Sequence, residues 1–465
     1  MYSKLVLYLC GFNYEVMRFY NREKEIAELY RIQEQSLERG QFTIVTGRRR
    51  IGKTQLLVEA FKNTPSLYLF VSRKEEALLC KDFQKQIASE LNVPLLGDAT
   101  TFIALFEFLV AFSKQNPITI IIDEFQDFYH VNSSIYSDIQ RVWDLNKEKC
   151  KLNFIVSGSV ISLMHKIFED KKEPLFGRAN HRLFIKPFET AVLKEILSDY
   201  YPNYTADDLL ALYTFSGGVA KYVELFIENK AFTKNKIIDY ITKENSLLIY
   251  EGKSILIEEF GKDYSTYFSI LSLIASGHTT RSDIEQILNK EISGYITRLE
   301  RDFQVITKIK PILSKSETKN IKYIIQDNFL MFWFRFIFKY QYLIETGSND
   351  QLKDIVARDY NTFSGLTLEK YFVTRALETK KYARIGKYWD KKGTFDIDFI
   401  AINDVEKTIE FAEIKRNANK IDIEKLTFNA YQYINNHQEL IPYKKLFHGW
   451  SLEEIAPSRH AAETQ

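Results

Sequence analysis

Residues 47–54 read Gly47-Arg48-Arg49-Arg50-Ile51-Gly52-Lys53-Thr54 and follow a short apolar segment at residues 42–46. The octapeptide fits the pattern G-x-x-x-x-G-K-[ST] without a mismatch. A loop of this type points successive backbone N–H groups at a di- or triphosphate, and its glycines allow the turn and the close approach. We therefore predict a P-loop in which Lys53 reaches the outer phosphates and Thr54 binds Mg²⁺. The alternative is a basic turn bounded by two glycines, without a ligand.

The residues after Thr54 carry apolar side chains at helical spacing: Leu56, Leu57, Ala60 and Phe61. The loop therefore opens a helix, and the dipole at the N-terminus of that helix favours an anion at the same place. ATP and Mg²⁺ are the predicted cofactors. The residues expected to bind them are Gly47, Arg50, Gly52, Lys53, Thr54, Gln55, Asp123 and Ser157.

The composition is that of a globular protein with several domains. The chain has 465 residues, of which 45% are hydrophobic, and it carries 63 basic and 61 acidic side chains. This length predicts two to four domains. The near balance of charge gives no global signature of polyanion binding, so any contact with nucleic acid must come from a local patch.

Cysteines and apolar segments bear on the expected compartment. Cys10, Cys80 and Cys150 are far apart in sequence and form no C-x-x-C pair, which favours a reducing interior over a disulfide framework or a zinc site. The apolar opening at residues 1–12 is short and lacks a cleavage site, so it is a poor signal peptide, and a start at Met17 fits better. The apolar run at residues 329–338 is too short to span a bilayer. We expect a cytoplasmic protein with no membrane partner.

Strand-like segments alternate with helical ones around the P-loop, which predicts a parallel sheet covered on both faces. The apolar segment at residues 118–122 ends in Asp123-Glu124. Ligands bind at the carboxyl ends of strands in open α/β sheets. Asp123 is therefore the expected second anchor of Mg²⁺, and Glu124 is expected to polarise the water that attacks the γ-phosphate. The alternative is a polar turn.

Two further positions are candidates for sensing or catalysis. Ser157 ends another strand-like segment, at residues 153–157, and is a candidate sensor of the γ-phosphate. Arg178 lies in Pro174-Leu175-Phe176-Gly177-Arg178 and is a candidate transition-state arginine, acting in its own subunit or in a neighbour. A salt bridge is the alternative role for Arg178.

These motifs together resemble a known family. Asn21-Arg22-Glu23, the P-loop, the I-I-I-D-E-F segment at 120–125, the S-G-S segment at 157–159 and P-L-F-G-R at 174–178 are similar to those of the archaeal-type ATPases, a group of AAA/STAND-related P-loop proteins. The resemblance covers residues 19–235. It implies a helical lid at residues 193–240 with a G-G-x-P-x-Y element, in which Ala220 here replaces the usual proline.

Three short helical patterns followed by two β-like runs, at residues 305–312 and 321–325, predict a winged helix-turn-helix in the middle of the chain. Basic residues of its third helix and wing are candidates for contact with DNA phosphates: Lys290, Arg298, Arg301, Lys315 and Lys319. Acidic residues lie among them, and docking of a protein is the alternative. An aromatic segment at residues 323–336 is similar to a junction in the same family.

Two alternating strands follow a polar break at residues 346–350. Because strand side chains have a period of two, Glu413 and Lys415 share one face, and Asp398 on the partner strand can join them. Two carboxylates and a lysine suit a divalent metal and an activated water. The segment resembles the PD-(D/E)XK nuclease fold, which implies Asp398, Glu413 and the upstream helical Glu369 as metal ligands, with Glu413 and Lys415 catalytic. A catalytically silent descendant of that fold is the alternative.

The sequence thus predicts an α/β protein: a P-loop NTPase core with a parallel sheet at residues 17–187, a helical lid at 188–250, a winged helix-turn-helix with the junction helix at 251–345, and a restriction-endonuclease-like α/β domain at 346–465. The leading hypothesis is a Mg²⁺-dependent ATPase coupled to a DNA-binding, nuclease-like domain. The alternative is a nucleotide-controlled signalling or scaffold switch, which binds a protein partner or a second copy and does not cleave DNA. A metabolic kinase is a third hypothesis, although no signature of a small-molecule pocket accompanies the P-loop.

Overall fold

The computed structural model describes residues 17–94, 97, 99–261, 264–390 and 395–456. The sequence predictions for residues 1–12 lie outside these ranges. The chain divides into two compact units: an N-terminal unit, Asn21–Lys186, and a C-terminal unit that begins at Pro187 and includes residues 17–20. Within the described residues, no helix is long and apolar enough to cross a membrane.

A five-stranded parallel sheet forms the centre of the N-terminal unit. The strand order is β2-β3-β4-β1-β5, and every pair is parallel. All residues of β3 and β4 are buried, as expected for strands covered on both faces. The strands are β1 (Gln41–Thr46), β2 (Ser66–Phe70), β3 (Ile118–Asp123), β4 (Leu152–Gly158) and β5 (His181–Phe184). The predicted parallel α/β sheet is confirmed.

Helices alternate with these strands and cover the sheet. They are α1 (Glu23–Ser36), α2 (Lys53–Phe61), α3 (Glu76–Leu91), α4 (Phe102–Ser113), α5 (Ile135–Asn146) and α6 (Ile161–Glu169). Aromatic side chains dominate the core between sheet and helices: the rings of Phe42 and Phe154 lie 4.6 Å apart, and Phe42 also meets Trp143 edge-on at 5.6 Å. This packing holds β1 and β4 side by side.

The strand order brings three strand ends to one edge of the sheet. β4 lies between β3 and β1, with Thr46 of β1 opposite Gly158 and Ile122 of β3 opposite Val156. The P-loop after β1, the acidic pair at the end of β3 and the serines at the end of β4 are therefore neighbours. This is the edge at which open α/β sheets bind ligands.

The C-terminal unit starts with helices and a small hairpin. Its first four helices, at the position of the predicted lid, are α7 (Thr190–Tyr200), α8 (Ala206–Ser216), α9 (Ala220–Glu228) and α10 (Lys234–Thr242). The long α11 (Leu247–Phe260) precedes three shorter helices and an antiparallel pair of strands: α12 (Tyr264–Ala275), α13 (Arg281–Leu288), α14 (Ser293–Arg301), β6 (Ile306–Ile309) and β7 (Lys322–Ile325). The structure thus contains the three helices and the hairpin that the sequence predicted.

The aromatic segment after β7 is a buried helical junction. It comprises α15 (Asn328–Phe332) and a π-helical turn, Trp333–Phe338, followed by α16 (Gln341–Glu345). The Trp333 indole N–H donates to the Ile249 carbonyl at 2.7 Å. A Cβ atom at Gly252 would lie 2.2 Å from the Trp333 ring, so only glycine lets α11 approach the junction.

A mixed four-stranded sheet and two helices complete the unit. The strands are β8 (Arg384–Trp389), β9 (Asp396–Asn403), β10 (Thr408–Ile414) and β11 (Lys444–Trp450), and the helices are α17 (Asn349–Glu378) and α18 (Ile423–Asn435). The order is β11-β10-β9-β8, with only β10 and β11 parallel. The polar break at residues 346–350 is a short turn into α17, which packs on α8 and α10. The Thr214 and Thr367 hydroxyls share a buried hydrogen bond of 2.6 Å at that contact.

Candidate functional site

The P-loop has the backbone geometry that its glycines predict. Gly47 and Gly52 have φ of +157° and +93°, and a Cβ atom at Gly47 would lie 2.7 Å from the Ile185 carbonyl oxygen. Gly52 is the residue immediately before α2, which begins at Lys53. The loop therefore leads directly into a helix N-terminus, as a phosphate site requires.

Lys53 is buried beneath this loop. Its Nζ donates to the carbonyl oxygens of Gly47 at 2.9 Å and Arg48 at 3.1 Å. Burial lowers the pKa of Lys53 to about 8, although the charges of Glu124 and Asp123 oppose the shift. A phosphate anion would give this ammonium the close counter-charge that it lacks in the loop.

Asp123 at the end of β3 is the centre of a hydrogen-bond cluster. Its Oδ2 accepts from Thr54 Oγ1 at 2.6 Å and from the Tyr68 hydroxyl at 2.5 Å, and its Oδ1 accepts from the Glu124 N–H at 3.0 Å. Burial and the bond to Asp123 raise the pKa of Tyr68. Mg²⁺ takes oxygen ligands and commonly uses one or two protein groups together with substrate phosphates, so the Thr54 and Asp123 oxygens fit that ion.

Tyr68 was not among the residues predicted from sequence. It lies on β2, which pairs with β3 so that Tyr68 is opposite Ile121. Only the order of strands in the sheet reveals this neighbour of Asp123.

Glu124 is held by two donors. Its Oε2 accepts from Gln126 Nε2 at 2.6 Å and from Ser159 Oγ at 2.7 Å. Glu124 itself has φ of +52°, a left-handed conformation that is uncommon outside glycine. Neither Gln126 nor Ser159 was assigned a role from sequence, although Ser159 lies within the S-G-S segment.

The remaining predicted nucleotide-site residues are dispersed around this edge. Ser157 is fully buried, and its hydroxyl has no hydrogen-bond partner among the described residues. Thr54 and Gln55 are exposed at the start of α2, and Arg50 has φ of +69° within the loop.

Arg178 lies 3.4 Å from Asp144 and donates to the Phe176 carbonyl at 2.9 Å. Its contacts are those of a local salt bridge, and its catalytic role stays a prediction.

The predicted carboxylates and lysine of the C-terminal unit are brought together. Lys415 Nζ lies 2.9 Å from Asp398 Oδ2 and 3.5 Å from Glu413 Oε1. Glu369, on α17, forms an ion pair with Lys387 of β8 and interacts electrostatically with Asp398 and Lys415. Lys387 is a member of the cluster that the sequence pattern did not indicate.

The electrostatics of this cluster keep Lys415 charged. Partial burial lowers the pKa of Lys415, but the hydrogen bond to Asp398 and the surrounding carboxylates outweigh it, so the pKa lies above its ordinary value. Burial raises the pKa of Glu369, and the charge of Lys387 opposes that shift. Lys415 is therefore an ammonium at neutral pH, suited to binding an anion.

The carboxylate oxygens of the cluster already accept backbone hydrogen bonds. The Ile414 N–H donates to Asp398 Oδ2 at 3.0 Å, and the Asp422 N–H donates to Glu413 Oε2 at 2.6 Å. Among the residues that the structure describes, no group of three or more His, Cys, Asp or Glu side chains is arranged to hold a metal ion. The metal-binding roles of Glu369, Asp398 and Glu413 stay predictions.

An open cleft of about 570 Å³ adjoins Lys415. Arg416, Asn417 and Lys420 line it together with Lys415, and Glu369 is its only acidic residue. Leu366, Ile414 and Leu452 add apolar lining, and the three basic side chains outnumber the one acidic side chain, a balance that favours a phosphate-bearing ligand.

The segment between β6 and β7, residues 310–321, contains the predicted wing residues Lys315 and Lys319. This segment, called the wing below, contacts the C-terminal sheet. The Ile312 N–H donates to the Lys387 carbonyl at 2.8 Å, and the Trp389 indole N–H donates to Asn320 Oδ1 at 2.8 Å. Lys315 and Lys319 remain exposed on this segment. The wing is therefore anchored along β8.

The basic residues of the third helix have partners of their own. Lys290 Nζ lies 3.2 Å from the Tyr295 hydroxyl, and Arg298 Nη1 lies 3.5 Å from the Tyr267 hydroxyl. Arg298 and Arg301 are exposed on α14. Contact between this helix and DNA stays a prediction.

Comparison with known proteins gives two family matches. A model of an ATPase domain found predominantly in Archaea matches residues 19–226, and a model of archaeal and bacterial proteins of unknown function matches residues 333–426. An uncharacterized protein of Methanocaldococcus jannaschii is 30% identical over an alignment of 430 positions, which covers 89% of this chain and 91% of that protein.

Two solved structures align with this chain. A Walker-type ATPase of Pyrococcus abyssi superposes with a TM-score of 0.54 at 19% identity, covering 68% of this chain and 96% of its own. The ORC2 protein of Aeropyrum pernix, solved in ADPNP–ADP complexes, superposes with a TM-score of 0.48 at 13% identity, covering 74% of this chain and 97% of its own.

Proposed function

Since the chain belongs to the predominantly archaeal family of P-loop ATPases that carry a C-terminal domain of unknown function, we propose that it binds ATP with Mg²⁺ and hydrolyses it. One observation carries this proposal: the Thr54 hydroxyl lies 2.6 Å from the Asp123 carboxylate, beside a buried lysine under the P-loop. A basic turn that binds no ligand would not require a hydroxyl, a carboxylate and a buried lysine to lie together.

The residues of the site have different roles in ATP hydrolysis. The P-loop N–H groups and Lys53 bind the phosphates, and the positive end of α2 favours their charge. Thr54 and Asp123 hold Mg²⁺, which when bound neutralises charge on the phosphate oxygens. Glu124 orients the attacking water and accepts its proton, while Ser157 is available to bond the γ-phosphate or that water. Arg178 remains a candidate for stabilising the transition state.

The test is ATP hydrolysis by the purified chain with and without Mg²⁺. Lys53→Ala is expected to abolish nucleotide binding and turnover, and Glu124→Gln is expected to lower turnover by about 10²–10⁴-fold while ATP still binds. Lys62→Ala, on an exposed residue just after α2, is the matched control. Undiminished hydrolysis in both site variants would remove the proposal.

For the C-terminal unit we propose a DNA-binding, nuclease-like domain whose activity depends on a divalent metal. The contact of Lys415 with both Asp398 and Glu413 supports it, because a lysine beside two carboxylates suits a phosphodiester and an attacking water. In this proposal DNA lies in the cleft beside Lys415, with α14 and the wing as a second contact.

The test measures cleavage of linear, circular and branched DNA with Mg²⁺ or Mn²⁺ by the wild-type protein and by Lys415→Ala. Equal cleavage by both proteins would exclude this site.

The second candidate is a nucleotide-controlled switch with a silent nuclease-like fold. The backbone donors on Asp398 and Glu413 favour it, since oxygens that are already bonded make poorer metal ligands. It predicts intact DNA in every assay, together with nucleotide-dependent binding of DNA, a protein or a second copy. Sedimentation with ATP, ADP and no nucleotide measures the self-association.

A further inference from the structure

We infer that Gln126 is a positioning residue which, together with Ser159, orients the Glu124 carboxylate for hydrolysis of ATP; this inference depends on the proposed ATPase function. Gln126 lies in the 3₁₀ turn that follows β3, Phe125–Asp127, and Ser159 follows β4. The two donors thus come from the ends of neighbouring strands. The direction of the Glu124 side chain is set by the sheet and not by its own turn alone.

The hydrogen bonds to Glu124 are short and share one acceptor. Gln126 Nε2 and Ser159 Oγ lie 2.6 Å and 2.7 Å from the same atom, Glu124 Oε2. Hydrogen bonds to a charged acceptor are stronger than those between neutral groups. Two such bonds on Oε2 fix the carboxylate and leave Oε1 for a water molecule.

The orientation of the Gln126 amide is determined by chemistry. The side chain is 1% exposed, and the opposite orientation would place Oε1 against the carboxylate of Glu124. As arranged, Gln126 Oε1 is buried and has no hydrogen-bond partner in the described part of the chain. An unsatisfied buried acceptor destabilises the folded state, so the fold retains this amide against a free-energy penalty.

Neighbouring backbone is shaped around the same amide. A Cβ atom at Gly158 would lie 2.5 Å from Gln126 Oε1 and closer still to the Met164 sulfur, so glycine leaves space that both side chains fill. The left-handed Glu124 is closed into a turn by the Asp127 N–H, which donates to the Glu124 carbonyl at 2.8 Å. Strained backbone conformations of this kind are unfavourable and persist where the surrounding structure holds them.

A positioning role predicts a specific kinetic change. Gln126→Met keeps the volume of the side chain but removes the donor, so the catalytic carboxylate loses its orientation. We expect kcat to fall by roughly tenfold or more, with the KM for ATP and the affinity for ADP unchanged, because a general base contributes about 10²–10⁴-fold. Ser159→Ala removes the other donor to Glu124 Oε2 and should also lower kcat. Gln115→Met, on an exposed glutamine after α4, is the matched control.

The decisive measurement is a double-mutant cycle with Glu124→Gln under single-turnover conditions. If Gln126 acts through Glu124, adding Gln126→Met to Glu124→Gln should change the residual rate by less than about twofold. Three outcomes would each overturn the inference. The first is a rate loss in the double variant equal to the product of the two single losses. The others are an unchanged kcat in Gln126→Met and a weaker affinity of that variant for nucleotide. Wild-type protein that hydrolyses no ATP would instead overturn the proposed function.

Discussion

Arg416, the residue after Lys415, donates a hydrogen bond from Nη2 to Asp207 Oδ1 of α8 at 2.7 Å. Its Nη1 donates to Ser364 Oγ of α17, also at 2.7 Å. Asp207 further accepts from Lys234 Nζ at 3.0 Å. The end of β10 is therefore bound to the first turn of a helix in the predicted lid, within the same compact unit. A movement of α8 would be transmitted directly to the residue beside Lys415.

Asp207→Asn tests this connection. The substitution keeps the shape of the side chain but leaves the largely buried Arg416 without its counter-charge. We expect the free energy of unfolding to fall by about 1–3 kcal/mol, measured by urea denaturation. The double variant Asp207→Asn/Arg416→Met should lose less free energy of unfolding than the sum of the losses in the two single variants, because the two residues interact.

The control for this experiment is Asp359→Asn, which removes the exposed pair between Arg358 and Asp359. Exposed pairs are worth at most about 1 kcal/mol, so this variant should remain close to wild type. If Asp207→Asn and the control lose the same free energy of unfolding, the contact between Asp207 and Arg416 contributes no more to stability than an exposed ion pair.

Tyr68 provides a test of the metal site. Tyr68→Phe removes one of the hydrogen bonds that orient Asp123 and leaves the ring in place. Groups that orient metal ligands typically change metal affinity by about 10–100-fold when removed. We expect the Mg²⁺ concentration for half-maximal ATP hydrolysis to rise several-fold at saturating ATP, with a smaller change in kcat. Tyr30→Phe, on the exposed face of α1, is the control. The same Mg²⁺ dependence in all three proteins would contradict the role of Tyr68.

The pKa of Lys53 predicts how nucleotide binding depends on pH. Because burial lowers this pKa to about 8, the nucleotide-free protein loses the Lys53 proton as pH rises through that value. A bound triphosphate favours the ammonium and raises the pKa, so binding above pH 8 must take up a proton. We expect the affinity for ATP to be nearly constant from pH 6.5 to 7.5 and to fall by up to about tenfold per unit above pH 8. Calorimetry in buffers of different ionisation enthalpy measures the proton uptake, and a flat affinity up to pH 9.5 would contradict it.

The sequence predicted those parts of the sites that depend on local pattern. The P-loop, the acidic end of β3 and the shared neighbourhood of Glu413 and Lys415 follow from spacing and from the period of a strand. Tyr68 and Lys387 could not be found in this way, because their contacts depend on which strands are neighbours in the two sheets. The order of strands is set by packing between distant segments, which one sequence does not reveal.

The helical segments show the same limit. Helix α3 was not predicted, since its apolar residues are interrupted by charged ones, although Leu79 and Phe83 are buried in the core. The break at residues 346–350 has the polar, glycine-containing composition of a linker. In the structure Gly347 has φ of +70° in a tight turn, and α17 packs back on α8 and α10. Composition indicated the turn but not the packing of the helix that follows it.

Lys387 links the wing to the carboxylate cluster, since its carbonyl accepts from the Ile312 N–H and its ammonium pairs with Glu369. Lys387→Met removes the charge that opposes the raised pKa of Glu369, so this pKa should rise further. A carboxyl whose pKa is higher in the folded than in the unfolded state binds its proton more tightly when folded, and stability then increases as pH falls through the folded value. We therefore expect Lys387→Met to be destabilised at pH 7.5 and to recover part of the loss at pH 5.5, measured by urea denaturation. Lys353→Met, which breaks an exposed pair with Asp239, should show a small loss at both pH values. An equal loss for Lys387→Met at both pH values would mean that Lys387 acts through packing and not through the charge of Glu369.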